Sequence, residues 1–251
     1  MRPATEDTTP RRPTMVSVEL GVLLAVVGGF LDGYSVMGLG GVFANAQTGN
    51  VVLLGVEAAR GHWAQAAGHV PPIVAFVAGV AVAETLRRPR VAAVVRRPAR
   101  AALVVEIAVL VVVGLLSAGV PDVAKVMVIA FVASIQVSTF RTLVTWSYNT
   151  TMMTGNIRSA SQALYLAVVD RDREAGRKAR HFAVIIVGFL AGGVAGGWLV
   201  LHAGPRTIWV AAGVLLVALG LFVLDEHRSP GRATGAGEDD DPGSPPRRGL
   251  R

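Results

Sequence analysis

The chain has 251 residues, of which 52% are hydrophobic and 16% charged, and its mean hydropathy is +0.53. This composition excludes an ordinary soluble domain and predicts an integral membrane protein. The formal charge of +7 comes mainly from arginines in short blocks beside apolar runs, which suits anionic lipid headgroups and excludes nucleic acid as the expected partner. The absence of cysteine excludes disulfides and cysteine-based metal sites.

Apolar runs of about 20 residues predict an all-α membrane protein with about six transmembrane helices. The predicted spans cover roughly residues 17–38, 70–86, 101–119, 123–143, 181–202 and 206–224. Together they form a polytopic membrane domain over residues 16–225. The flanking segments 1–15 and 226–251 are rich in proline, glycine and charge, so we expect two disordered tails.

Arginine clusters predict the orientation, because positively charged loops stay in the cytoplasm. Residues 87–100 and 171–180 carry such clusters, whereas the short connections at 118–122 and 203–206 carry almost no positive charge. The prediction is a multi-pass protein of the bacterial inner membrane with both termini cytoplasmic.

The tripeptide Thr-Gly-Asn occurs twice, at residues 48–50 and 154–156, each time after a long apolar stretch. About 13 helical residues from Thr48 extend only ~20 Å, which is too short to cross a ~30 Å hydrocarbon core. We therefore predict a re-entrant element that dips inward through residues 40–45 and returns as a half-helix capped by Thr48. Thr154 is predicted to cap a second half-helix in the same way.

This duplication predicts two inverted three-span repeats, residues 17–119 and 123–224, as found in transporters with broken helices. Half-helix N-termini present N–H donors and partial positive charge to a solute. We predict a midplane site for a small anionic or dipolar solute. In the alternative interpretation, threonine and asparagine only cap the helices and glycine only allows close packing. The candidate substrate-binding residues are Asp32, Thr48, Gly49, Asn50, Thr154, Gly155, Asn156 and Arg158.

Three ionisable residues lie in or near these membrane segments. Asp32, near the outer end of span 1, is a candidate to bind a cation, relay a proton or pair with a base. The structural alternative is a hydrogen bond to the re-entrant backbone beside it. Glu106 in span 3 is expected to snorkel or to have a structural role. Arg158 lies near a positive helix end, so it either faces an anion or projects to cytoplasmic water.

Glycines repeat every four residues in span 5, at Gly188, Gly192 and Gly196. Such a small-residue stripe lets two membrane helices approach closely. We therefore predict a packing role for the stripe rather than a gating hinge.

The chain contains no Walker loop and no HExxH motif, Ser117 lacks a histidine at matching depth, and Asp32 lacks an obvious partner acid. We therefore expect no enzyme activity, no metal and no cofactor. The expected partners are the lipid bilayer and a small solute, with a homo-oligomer left open. A non-transporting membrane scaffold or accessory subunit is the alternative to a transporter.

Two segments resemble a known family. Residues 29–33 (GFLDG) and 40–50 (GGVFANAQTGN) resemble the first signature of the YoaK-like DUF1275 family of bacterial membrane proteins, and Gln136, Phe140-Arg141 and residues 150–155 resemble its second. The resemblance covers most of residues 17–224 and implies about six spans, but it implies no substrate. Two positions differ from the usual pattern, which has Met at Gln47 and Asn at Val137.

The predicted orientation can be tested by labelling single cysteines, because the chain has none of its own. A cysteine at Val94 should react with an impermeant thiol reagent only from the cytoplasm, and one at Gly119 only from outside. Labelling of Val94 from outside would contradict the predicted topology.

Overall fold

A computed structural model describes residues 15–88, 91, 97–116, 119–140, 142–143, 146–147, 151 and 153–228. Most of the two predicted tails lies outside these residues, as do Val94, Arg141 and residues 148–150 before the second motif. Predictions that rest on those residues therefore stay predictions.

The described residues are mainly helical. The helices are α1 (Val18–Gly38), α2 (Gln47–Ala59), α3 (Trp63–Gly68), α4 (Val70–Leu86), α5 (Pro98–Leu115), α6 (Asp122–Thr139), α7 (Met153–Val169), α8 (Arg173–Ala203) and α9 (Ile208–Arg228), with a 3-10 turn at Pro205–Thr207 before α9. The all-α prediction did not include three two-residue strands, β1 (Met15–Val16), β2 (Thr142–Leu143) and β3 (Trp146–Ser147). β1 pairs in parallel with β2, and β2 pairs antiparallel with β3.

Among the described residues, six helical segments are long and apolar enough to cross a membrane, which confirms the predicted number of spans. They are α1, the α3–α4 unit (Trp63–Leu86), α5, α6, α8 and the segment Pro205–Asp225 that contains most of α9. The chain is thus a multi-pass membrane protein.

The boundaries of α8 and α9 differ from the prediction. α8 begins at Arg173 rather than near residue 181, because the Asp172 carboxylate accepts hydrogen bonds from the backbone N–H groups of Glu174 (2.7 Å) and Ala175 (3.2 Å). This N-cap starts the helix before its apolar part begins. α9 continues to Arg228, so the predicted C-terminal tail begins within a helix.

Helices from both halves of the chain pack together. α1 packs on α8 and α9, and α4 packs on α6. α5 packs on α6 and α9, and α7 packs on α8. The main core lies where α1, α5, α6, α8 and α9 meet, and its fully buried side chains include Leu24, Leu103, Ile129, Ile185 and Leu215. The two halves of the chain therefore form one packed bundle.

α1 and α8 approach each other closely through glycine. A Cβ added at Gly192 would collide with the carbonyl oxygen of Val26, and one at Gly196 with that of Phe30. From the other side, a Cβ at Gly29 would collide with the Phe189 carbonyl oxygen. Backbone touches backbone along this seam, as expected for a small-residue stripe.

We expect Gly192→Ala to lower the stability of the detergent-solubilised protein by roughly 1–3 kcal/mol, because the new methyl group forces α1 and α8 apart. Gly220→Ala on α9 is the matched control, because a Cβ there meets open space. Its effect should stay within about 1 kcal/mol. Thermal unfolding of both variants checks this, and equal stability of the two would contradict the close contact.

Candidate functional site

The connection after α1 folds back along that helix. It turns at Gly40 and Gly41, whose φ angles of +81° and +79° favour glycine. The side-chain amide of Asn45 then donates to the Gly28 carbonyl oxygen at 3.2 Å. Gly28 lies ten residues before Gly38, the end of α1, which corresponds to about 15 Å along the helix. The connection therefore returns to the middle of α1.

Asp32 and Ser35 of α1 receive the backbone of this returning segment. Asp32 Oδ1 accepts hydrogen bonds from the backbone N–H groups of Asn45 (2.7 Å) and Ala46 (3.3 Å). Ser35 Oγ accepts one from Ala44 N at 3.0 Å and donates to the Asp32 carbonyl oxygen at 3.2 Å. One Asp32 carboxylate oxygen therefore makes the hydrogen bonds to the returning backbone that the structural alternative predicted.

The prediction that the motif threonines cap the half-helices is wrong for α2. This helix begins at Gln47, its N-cap residue is Ala46, and no side chain caps it. Thr48 is the second helical residue and is exposed. Thr154 is likewise the second residue of α7, which begins at Met153. The two motifs therefore occupy the same positions in their helices, and each threonine lies in the first turn.

Asn50 is fully buried and holds the returning segment onto α2. Its Oδ1 accepts from Phe43 N at 2.9 Å, and its Nδ2 donates to Phe43 O at 2.8 Å and to Gln47 Oε1 at 2.9 Å. His69 Nδ1 lies 3.5 Å from the same Oδ1. Both amide hydrogens and the oxygen are therefore occupied by local groups.

Gln47 closes the same network. Its Nε2 donates to the Ala44 carbonyl oxygen at 2.9 Å, while its Oε1 accepts from Asn50. The departure from the usual Met at this position therefore adds two hydrogen bonds within the turn.

The two motif glycines differ in their surroundings. A Cβ on Gly49 would lie 2.8 Å from the Phe43 ring, whereas a Cβ on Gly155 would meet open space. Gly49 is therefore a packing position. Gly155 is exposed, so a steric requirement within the fold does not explain its identity.

The second motif lies on α7. Asn156 is buried, with its Nδ2 3.8 Å from Met153 Sδ, and Met153 packs against the main core. Thr154 and Arg158 are exposed. In both motifs the asparagine is therefore buried and the threonine is accessible.

In the described part of the chain the two motifs lie on helices that pack against different partners. α2 packs on α3 and α4, whereas α7 packs on α8. A groove of about 550 Å³ lies between α7 and α8, and a second of about 480 Å³ lies on the outer face of α8. Neither groove is lined by a residue of either Thr-Gly-Asn motif.

Glu106 is fully buried in α5, so it does not snorkel, and the structural role is the alternative that remains. The Gln136 side chain of α6 interacts with it, but neither Glu106 carboxylate oxygen makes a hydrogen bond of good geometry, and Gln136 Nε2 makes none. The helix pair α5–α6 buries this acid because Leu103 and Leu110, one turn to either side, face the same core.

The sequence analysis did not single out Asn45, Ser35 or His69. A signal was present for Asn45, a polar residue between two alanines just before the first motif. His69 gave none, because its proximity to Asn50 arises only when α3 and α4 turn back beside α2.

We expect Asn50→Ala to destabilise the protein by about 2–4 kcal/mol, because it leaves the Phe43 N–H and carbonyl groups without their partners. Thr48→Ala, two residues away and exposed, is the control and should change stability by less than about 0.5 kcal/mol. Thermal unfolding in detergent measures both. Wild-type stability of Asn50→Ala would show that this network contributes little.

Comparison with known proteins gives one family. A family model described as a protein of unknown function, DUF1275, matches residues 20–221, which include both Thr-Gly-Asn motifs and all six apolar segments at least in part. No curated protein and no solved structure matches the chain. The family model confirms the resemblance seen in the two signatures: this multi-pass membrane chain belongs to the DUF1275 family.

Proposed function

We propose that this protein is a transporter or permease of the bacterial inner membrane for a small anionic or dipolar solute. The observation that carries the proposal is the connection between α1 and α2, which returns to the middle of α1 and starts a new helix there. Non-helical backbone at that depth is tolerated only where protein or a water-filled cavity surrounds it. Transporters use such breaks to place helix ends at a midplane site.

The packing of the helices supports two inverted repeats. In such a repeat each helix of the first half has an equivalent in the second half: α6 for α1, α7 for α2, α8 for α4 and α9 for α5. Replacing each helix by its equivalent turns the α1–α8 contact into the α6–α4 contact. The same exchange converts α1–α9 into α6–α5 and α2–α4 into α7–α8, and each of these pairs is in contact. A pseudo-two-fold relation between the halves accounts for this correspondence, and three spans per half make the repeats inverted.

The two equivalent contacts also share their chemistry. In the α1–α8 pair, Gly192 faces the carbonyl oxygen of Val26. In the α6–α4 pair, Gly79 faces the carbonyl oxygen of Phe131 and the Ser134 hydroxyl. In each case a glycine of the second span in one half meets the backbone of the first span in the other half.

Within this architecture the accessible motif groups are the proposed points of solute contact, one set on α2 and one on α7. They are Thr48 on α2 and Thr154, Gly155 and Arg158 on α7. Helix N-termini and an arginine favour negative charge, so an anion or the negative end of a dipolar solute is the expected ligand. Asn50 and Asn156 are buried, so we propose that they hold the motif backbone in position rather than contact the solute.

A non-transporting scaffold or accessory subunit is the competing function. Two observations favour it: the Asn50 side chain is occupied by local partners, and neither described groove touches a motif residue. In that case the Thr-Gly-Asn segments would serve only to hold the broken helices together.

Flux into liposomes separates the two functions. We expect purified protein to move nitrate or glycine faster than protein-free liposomes and faster than it moves glycerol. Thr48→Val and Thr154→Val should each lower this flux at least several-fold, because they remove a hydroxyl and keep the side-chain shape. Thr85→Val is the matched control, because the Thr85 hydroxyl only bonds the Ala81 carbonyl oxygen within α4 at 2.7 Å.

Charge selectivity gives a second comparison in the same liposomes. Arg158→Gln should reduce nitrate flux more than glycine flux, because the glycine zwitterion carries no net charge. Absence of flux for all three solutes would support the scaffold function instead. Equal flux in both threonine variants and the control would exclude the motif threonines from the solute site.

A further inference from the structure

Two buried oxygen atoms lack partners where the returning segment meets α1. They are Asp32 Oδ2 and Asn45 Oδ1, on side chains that are 5% and 4% exposed. The two residues are already joined, because Asn45 N donates to Asp32 Oδ1 at 2.7 Å. A buried acceptor without a partner loses its bonds to water and gains nothing in return.

The orientation of the Asn45 amide is determined by its other contact. Its Nδ2 donates to the Gly28 carbonyl oxygen, one turn before Asp32 on the same face of α1. Turning the amide over would place Oδ1 against that carbonyl oxygen, and two acceptors cannot bond each other. Asn45 Oδ1 must therefore remain an acceptor, and it needs a donor that the backbone does not supply.

One shared hydrogen atom would satisfy both oxygens. We propose that Asp32 Oδ2 carries a proton and donates it to Asn45 Oδ1, so that this pair is an exchangeable proton site within the membrane. Asp32 Oδ1 keeps the hydrogen bonds from Asn45 N and Ala46 N in this state. A protonated carboxyl has one O–H donor and acceptor capacity on the other oxygen, which matches the bonds required here.

A metal cation fits this place less well than a proton. Hard cations such as Ca²⁺ or Mg²⁺ take about six or more oxygen ligands. Among the described residues, the buried side-chain atoms left without a partner at this place are two oxygens. Two oxygens are enough to share one proton and too few to replace the hydration shell of a metal ion.

Among the described residues, the helices packed on α1 place no counter-charge in an ion pair with Asp32. α8 faces this part of α1 with glycine, since Gly33 lies against Gly193 and Gly197. On α6, Asp122 and Lys125 pair with each other at 3.0 Å, and His69 lies beside Asn50 rather than Asp32. On α9, Asp225 lies near the C-terminal end of the helix. In the described part of the chain no ion pair includes Asp32.

Loss of the proton would change how the returning segment is held. Asp32 would release the proton to water, and no other covalent bond would form or break. The carboxylate would keep its two N–H bonds but would face the Asn45 carbonyl oxygen, which repels it. The segment can move about Gly40 and Gly41 at the preceding turn, because glycine adopts many backbone conformations. Proton binding would thus favour the returned position in which α2 starts at the middle of α1.

The protonated carboxyl can be observed directly by infrared spectroscopy, through its C=O stretch, on purified protein at about pH 7. We expect a carboxylic-acid band that shifts in D₂O and is absent from Asp32→Asn. Glu106→Gln is the matched control, since it removes the other deeply buried acid and should leave the Asp32 band in place. Asn45→Ala should shift the band to higher frequency, because the O–H loses its acceptor.

Thermal unfolding of two Asp32 variants provides a second test that does not depend on the infrared band. Asparagine at position 32 can accept from Asn45 N and Ala46 N and donate to Asn45 Oδ1, so Asp32→Asn should unfold within a few degrees of wild type. Asp32→Leu cannot make these bonds and should unfold well below it. A carboxylic-acid spectrum that is the same in wild type and in Asp32→Asn, or equal loss of stability in both variants, would overturn the proposal.

The link between this proton and solute movement rests on the proposed function. It predicts that wild-type glycine flux changes several-fold when a pH gradient is imposed across the liposomes, and that the response is lost in Asp32→Asn. Absence of glycine and nitrate flux in wild type would refute the transporter but leave the infrared result valid. Flux without a response to pH, together with no Asp32 band, would refute the proton site alone.

Discussion

The fold depends on how α1 hydrogen-bonds a piece of non-helical backbone beside its middle. Hydrocarbon offers no partners, so a chain that leaves a helix inside a membrane must find them in the protein. α1 supplies them through the Asp32 carboxylate, the Ser35 hydroxyl and the Gly28 carbonyl oxygen. α2 can start beside the middle of α1 only because these groups satisfy the segment that precedes it.

That arrangement requires α1 to be held firmly, and α8 does this. The seam between them brings the backbones together at Gly29 on one side and at Gly192 and Gly196 on the other. Close backbone contact increases the dispersion interaction between the helices, which replaces the hydrophobic effect that lipid does not provide. The face of α1 that carries Asp32 and Ser35 is thereby fixed relative to the rest of the bundle.

The threonine and the asparagine of each Thr-Gly-Asn motif differ in burial, and this separates their roles. Asn50 is buried and bonds the Phe43 backbone in both directions, whereas Thr48 and Thr154 are accessible at the same position of their helices. Any contact with a solute is therefore expected from the threonines and from Gly155. The asparagines give the returning segments their shape, which a solute site would need but which a scaffold would need equally.

The sequence by itself determined the membrane class, the six spans and the glycine seam, because apolar length and small-residue spacing depend on neighbours along one helix. It also determined that Thr-Gly-Asn would begin a new helix. Only the tertiary structure decided that Glu106 is buried rather than snorkelling, that Thr48 lies inside α2 rather than capping it, and that Asn45 meets Gly28 and Asp32. These outcomes depend on which helices pack together and where the chain turns back, and contacts between distant residues leave no periodic signal in the sequence.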